Sequence, residues 1–188
     1  PVAETFFART AKLRGGAPAG VKKVVLVSKL REVAAQIGFT RREAVTPDVQ
    51  GEYDLNVQSA SLGLTTNWLP ASEIRGEGVF VELDEVTVRQ WEDRKGVIAR
   101  AKQLDAGYQA WAKTVQHAPP FPGVRFYMLH TLSHLLMSAI SLECGYAASA
   151  IRERIYCGPS ARDATPMAGI LLSTGTTGTE GTLGGLVE

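Results

Sequence analysis

Residues 126–143, FYMLHTLSHLLMSAISLE, are apolar on nearly every side of a helical wheel, and few environments accept such a segment. Its length approaches a membrane span, but His130, Ser133, His134, Ser138 and Ser141 interrupt it, and Gly145 stands where a helix ends. We therefore expect a helix buried in protein, with the rest of the chain supplying a core around it and no membrane partner. A chain of 188 residues can do this as a single domain, burying roughly 70% of the surface its unfolded form exposes. Its 45% apolar and 21% charged residues are globular values and exclude a disordered tail, a collagenous repeat or a coiled-coil rod. Cys144 and Cys157 belong to no CxxC pair, and two thiols make neither a disulfide scaffold nor a closed zinc site by themselves. In a reducing compartment both read as small buried apolar side chains. The opening PVAETFFART lacks the basic start and apolar core of a signal peptide, so a cytoplasmic location is the expectation.

The clearest boundary is HAPPFPG (117–123), where three prolines forbid helix and strand interior alike. It divides the chain into a flexible approach (1–20), an N-terminal mixed part with a basic arm and amphipathic helices (21–116), a Pro-rich linker (117–124) and a helix–strand core with a Gly-rich loop (125–188). VVLV (24–27), GVFVEL (78–83) and GILLST (169–174) read as short buried strands. After the first strand, Leu30, Val33, Ala34 and Ile37 fall at helical spacing between Ser28, a capping residue, and Gly38, which predicts a helix. A short helix follows from Asp84 through Trp91. A longer one carries Val97, Ala101, Leu104, Tyr108, Trp111 and Val115 as one stripe packed on the core. Another helix is expected at about 147–156, carrying Arg152, Glu153 and Arg154. These elements define a mixed α/β (α+β) fold: one domain with a small central sheet flanked by helices.

The charge is unevenly laid out. Residues 9–42 carry nine basic side chains against Glu32 alone, and residues 43–93 carry eleven acids against Arg75 and Arg89. This arrangement fits a polyanion-binding face, or two segments that neutralise each other in the fold. Lys29 and Arg31, in the first turn of the expected helix, would oppose its dipole, which suggests that they serve something else.

Catalytic signals are sparse. His130 and His134, at i and i+4, share one helical face as in zinc proteases, but the water-activating glutamate of those enzymes is replaced by Thr131. The two imidazoles can join Cys144 or Glu143 in a metal site, or simply hydrogen-bond helix to helix. Gly175, Gly178, Gly181, Gly184 and Gly185 can point backbone N–H groups at a phosphate, yet no Lys follows them and GxGxxG is not met in order. Glu180, between glycines, is a candidate base or ligand, or a helix cap. No GxSxG elbow or Walker motif occurs.

Read together, VSKLREVAAQIGFTR (27–41), LPASEIRGEGVFVELDE (69–85) with Trp91, LHTLSHLLMSAISLECGYAASAIRERIY (129–156) and GILLSTGTTGTEGTLGGLV (169–187) resemble the C-terminal region of DrmB-like proteins of the DISARM anti-phage systems. The same domain occurs behind the motor of MrfA-type DNA-repair helicases. The resemblance covers nearly the whole chain from about Val24, and HTLSHLL and EGTLGGL are its most specific blocks. It implies a helicase-associated, non-motor component that assists a partner helicase of the DrmA type in engaging DNA, single-stranded or at ends. Lys22, Lys23, Lys29, Arg31, Arg41 and Arg42 are the candidate DNA face, with Arg152 and Arg154 as further candidates and Gly178, Gly181, Gly184 and Gly185 as a phosphate loop. The resemblance also implies a cysteine cluster a few tens of residues beyond the GTLGGLV block, which binds zinc in the MrfA relatives. The chain stops at Glu188, so we expect a fragment cut before that cluster, and no cofactor or metal is assigned within it. The alternatives are a phosphodiester hydrolase-like site at His130, His134 and Glu180, and a pure scaffold that docks on the helicase.

Overall fold

The structure, a computed structural model, describes residues 6–36, 68–115, 118–145, 147, 150–158 and 166–177. Along the chain these form β1 (Phe7–Thr10), β2 (Val21–Ala35), β3 (Ala71–Leu83), α1 (Glu85–Glu92), α2 (Lys95–Ala112), α3 (Gly123–Cys144), β4 (Ile151–Cys157) and β5 (Ala168–Thr177). The strands make one sheet in the order β1-β2-β3-β5-β4, every pair antiparallel, so the class is the expected mixture of sheet and helix. β5 lies between β3 and β4, and strands from both sides of the Pro-rich stretch therefore share one sheet.

Register decides what each face carries, because residues directly opposed in an antiparallel pair point the same way. Val79 stands opposite Leu172 and Val81 opposite Ile170, while Ile155 also opposes Ile170 from the other side. These residues form one apolar face, and α3 lies across it. Leu129 is completely buried there and shares a core with Leu83, Val88, Ile151, Ala168, Ile170 and Leu172.

Each helix has a local reason to start or stop. Asp84 caps α1, accepting from the Thr87 backbone N–H at 2.8 Å and from the Thr87 hydroxyl at 2.7 Å. Gly145 ends α3 in the left-handed conformation, φ 72°, as its position after the apolar run suggests. Tyr108 of α2 is buried and donates to the Pro119 carbonyl at 2.8 Å, and its ring meets Phe121 at 5.5 Å, which seats the Pro-rich stretch on α2. Along the expected stripe of α2, Val97, Ala101 and Leu104 are half-buried, while Trp111 and Val115 are exposed. On α3 the buried residues are Arg125, Phe126, Leu129 and Ser133, and on its far side Leu135 is 64% and Leu142 86% exposed.

Arg125 ties these pieces together. Its guanidinium donates to Glu85 at 2.9 and 3.0 Å, to Glu92 at 2.7 and 2.9 Å, and to the Gly158 carbonyl at 2.9 Å. One buried cation thus joins α1, α3 and the end of β4. Its hydrogen bonds to Glu92, opposed by burial and supported by Glu85, push its pKa further up. Burial pushes the Glu85 carboxyl up, but hydrogen bonds from Arg125 and Arg89 outweigh it and hold the group below the ordinary carboxylate value.

Two expected helices are strands. The stretch from Ser28 belongs to β2, which runs to Ala35, while Ile37 and Gly38 lie outside the described residues. The stretch at 147–156 gives β4 in its second half. In both, pairing with a neighbouring strand overrides the local spacing. Cys157 is half-buried and burial raises its thiol pKa, whereas Cys144 is exposed, contrary to its reading as a buried apolar side chain.

Candidate functional site

The strict alternation of IRERIYC in β4 sends Ile151, Glu153, Ile155 and Cys157 toward α3 and Arg152, Arg154 and Tyr156 to the opposite face. Two constellations result, one on each side of the sheet.

On the helix side, His130 and His134 project from one flank of α3 with ring centroids 4.5 Å apart. Glu153 comes up from β4 to meet them, its Oε1 lying 2.9 Å from His130 Nδ1 and 3.6 Å from His134 Nε2. The buried Ser133 hydroxyl donates to the other oxygen, Glu153 Oε2, so the carboxylate is held in a fixed orientation. Phe126 stacks on the His130 ring at 5.8 Å with an interplanar angle of 11°. The three candidate ligand atoms all fall within 4.8 Å of one another. Sequence reasoning brought the two histidines together but offered Glu143, Cys144 or Glu180 as companion. Glu180 lies outside the described residues. Glu153 was missed because 147–156 read as a helix, although the period-2 alternation was a usable signal.

The opposite face is basic and aromatic. Lys22 and Lys23 both reach Glu82, at 2.7 and 2.9 Å. Arg152 reaches Glu32 at 3.3 Å. Arg154 lies over the Tyr156 ring, 6.0 Å from its centroid, and Tyr156 meets Phe80 edge to face at 5.6 Å. The two rings sit on β4 and β3 with β5 between them, and they meet because Gly169 has no side chain: a Cβ there would approach Phe80 to 2.7 Å. Hydrogen bonds from Lys22 and Lys23 hold the Glu82 carboxyl below its ordinary value, and the bond to Glu82 raises the Lys22 pKa.

Arg31 stands apart from this group. It bonds Glu73 at 2.6 Å, and Glu73 also accepts from Arg75. Glu73 and Glu82 fall on opposite faces of β3 by alternation, so Arg31 and Lys23 do not share a surface. Lys29 is exposed beside β1, opposite Phe7. Arg41, Arg42 and the loop glycines Gly178, Gly181, Gly184 and Gly185 lie outside the described residues. β2 carries Lys22, Lys23, Lys29 and Arg31 of the basic arm, β3 carries Glu73, Glu77 and Glu82 of the acidic stretch, and the two strands are paired.

Sheet and surfaces together define an α+β domain with one helix-covered face and an opposite face that carries the basic and aromatic group beside the buried Val27, Ile74 and Ser173. No protein-family model matches the chain. It is related to the DISARM protein DrmB of Bacillus paralicheniformis, with 38% identity over 168 residues. The match covers 88% of this chain and 28% of that protein, so the chain spans little more than a quarter of its relative's length. The DrmB-like resemblance carried by the sequence motifs is therefore sound. No helix among the described residues is long and apolar enough to cross a membrane.

Proposed function

We propose that the chain is a DNA-engaging, non-motor module of an anti-phage complex of the DISARM type, assisting a partner helicase. The similarity to DrmB supports the defence setting. The observation that supports DNA contact is the group on the sheet's outer face: Lys22 and Lys23 at Glu82, Arg154 over the Tyr156 ring that meets Phe80, and Arg152 further along β4. Cations beside aromatic rings suit single strands, because phosphates meet the charges while bases stack on π-faces without sequence preference.

The carboxylates beside these cations do not bar the role. Exposed ion pairs are worth about 0–1 kcal/mol, so a polyphosphate backbone can displace Glu82 from the two lysines. The large exposed side chains Leu135 and Leu142 on α3 support a helicase-docking role for the other side.

The test is fluorescence anisotropy with a labelled single-stranded oligonucleotide over a salt series. Wild type binds with affinity that falls steeply with salt. Lys22→Gln/Lys23→Gln/Arg152→Gln/Arg154→Gln flattens the log–log slope by about 3, since each phosphate contact with a single strand contributes roughly 0.7. No binding at low salt would reject the DNA role and leave docking.

A further inference from the structure

We propose that His130, His134 and Glu153 form a binding site for one zinc-class divalent cation, on the side of β4 opposite the basic face and independent of the DNA reading. The donor set is two imidazole nitrogens and one carboxylate oxygen, a combination suited to borderline ions and used in three-ligand zinc sites. Around a tetrahedral ion with bonds of about 2.0–2.1 Å, ligand atoms stand roughly 3.3 Å apart. The observed separations from Glu153 Oε1, 2.9 Å to His130 and 3.6 Å to His134, bracket that value. The full set of ligand atoms lies within 4.8 Å, so the side chains must rotate inward to close on an ion.

Three further features separate this cluster from a chance meeting of surface side chains. The two imidazoles come from one helix at i and i+4 and the carboxylate from a strand packed against it, so rigid elements set the geometry. Ser133, fully buried, fixes the second carboxylate oxygen and leaves the first aimed at the histidines, which is how supporting groups orient a ligand. Arg152 and Arg154, the strand neighbours of Glu153, point to the other face and do not compete for it. The His130 and His134 side chains remain 42% and 60% exposed, which leaves coordination positions open to water, as in catalytic rather than structural zinc sites.

The experiment titrates the metal-stripped 188-residue chain with zinc chloride by calorimetry, and with cobalt(II) while recording visible absorption. The expected result is one ion per chain, with cobalt bands of a four- or five-coordinate nitrogen–oxygen site. His134→Ala and Glu153→Gln each weaken zinc binding by at least tenfold, Ser133→Ala weakens it by about tenfold, and Cys144→Ser leaves it unchanged. Circular dichroism in chelator confirms that the variants fold, and His134, being exposed, is the safest of them. No binding, or equal affinity in wild type, His134→Ala and Glu153→Gln, would overturn the site. Loss of binding in Cys144→Ser or Cys157→Ser alone would do the same, by placing the ion at a thiol.

Discussion

Arg125 is the residue on which the arrangement of elements most depends. It is charged, nearly fully buried, and bonded to two carboxylates of α1 and to the backbone carbonyls of Gly158 and Met167 beyond α3. Among the described residues, removing Arg125 takes the charge partner from Glu92 and leaves Glu85 with Arg89 alone. Arg125→Ala should destabilise the domain by about 3–5 kcal/mol, measured by urea unfolding, and a change within 1 kcal/mol would show the network to be incidental. Lysine should not rescue it, because a point charge cannot match the planar fork that bridges Glu85 and Glu92. The same cluster sets an acid limit. Glu85 titrates below its unfolded value, so its stabilisation is present above about pH 4.3 and is lost as pH falls through the lower folded value. Glu85→Gln should flatten the acid limb of the stability curve, and an unchanged limb would contradict the pairing.

Glycine has opposite meanings in the strands and the helices. β3 and β5 approach so closely at Gly76 that a Cβ would run into the Thr174 carbonyl, whereas nothing lies near Gly107 in α2. Gly76→Ala should therefore destabilise the domain, while Gly107→Ala should stabilise it by about 0.5–1 kcal/mol; thermal melts of the pair check the contrast. The same division explains what could be read in the sequence. The runs at 78–83 and 169–174, the helix from Asp84 and the long helix ended by Gly145 were legible because burial, capping and termination are local signals. The residues after Ser28 were not. Leu30, Val33 and Ala34 fit a helix by spacing, and what makes them strand is the partner strand opposite them, Gly76, Glu73 and Ser72. β4 shows the same failure, although its apolar–polar alternation was visible. That one misreading hid Glu153 from the histidine cluster, Arg154 beside Tyr156 and Arg152 beside Glu32.

At the scale of the whole molecule, part of the basic segment, on β2, meets part of the acidic segment, on β3, through local ion pairs. The neutralising alternative is met at these pairs, while the polyanion-binding one stays the proposal, with Lys22, Lys23 and Arg31 at the surface beside the half-buried carboxylates of Glu82 and Glu73. The central claim is that the face around Lys22 and Lys23 meets nucleic acid with Glu82 as its built-in competitor. The most direct measurement compares single-strand binding by wild type and Glu82→Gln in the same salt series. Freeing both lysines should tighten binding by up to about fivefold, the equivalent of roughly 1 kcal/mol for an exposed pair, with the gain shrinking as salt rises. Unchanged or weaker binding in Glu82→Gln, or no binding by either protein at low salt, would contradict the account.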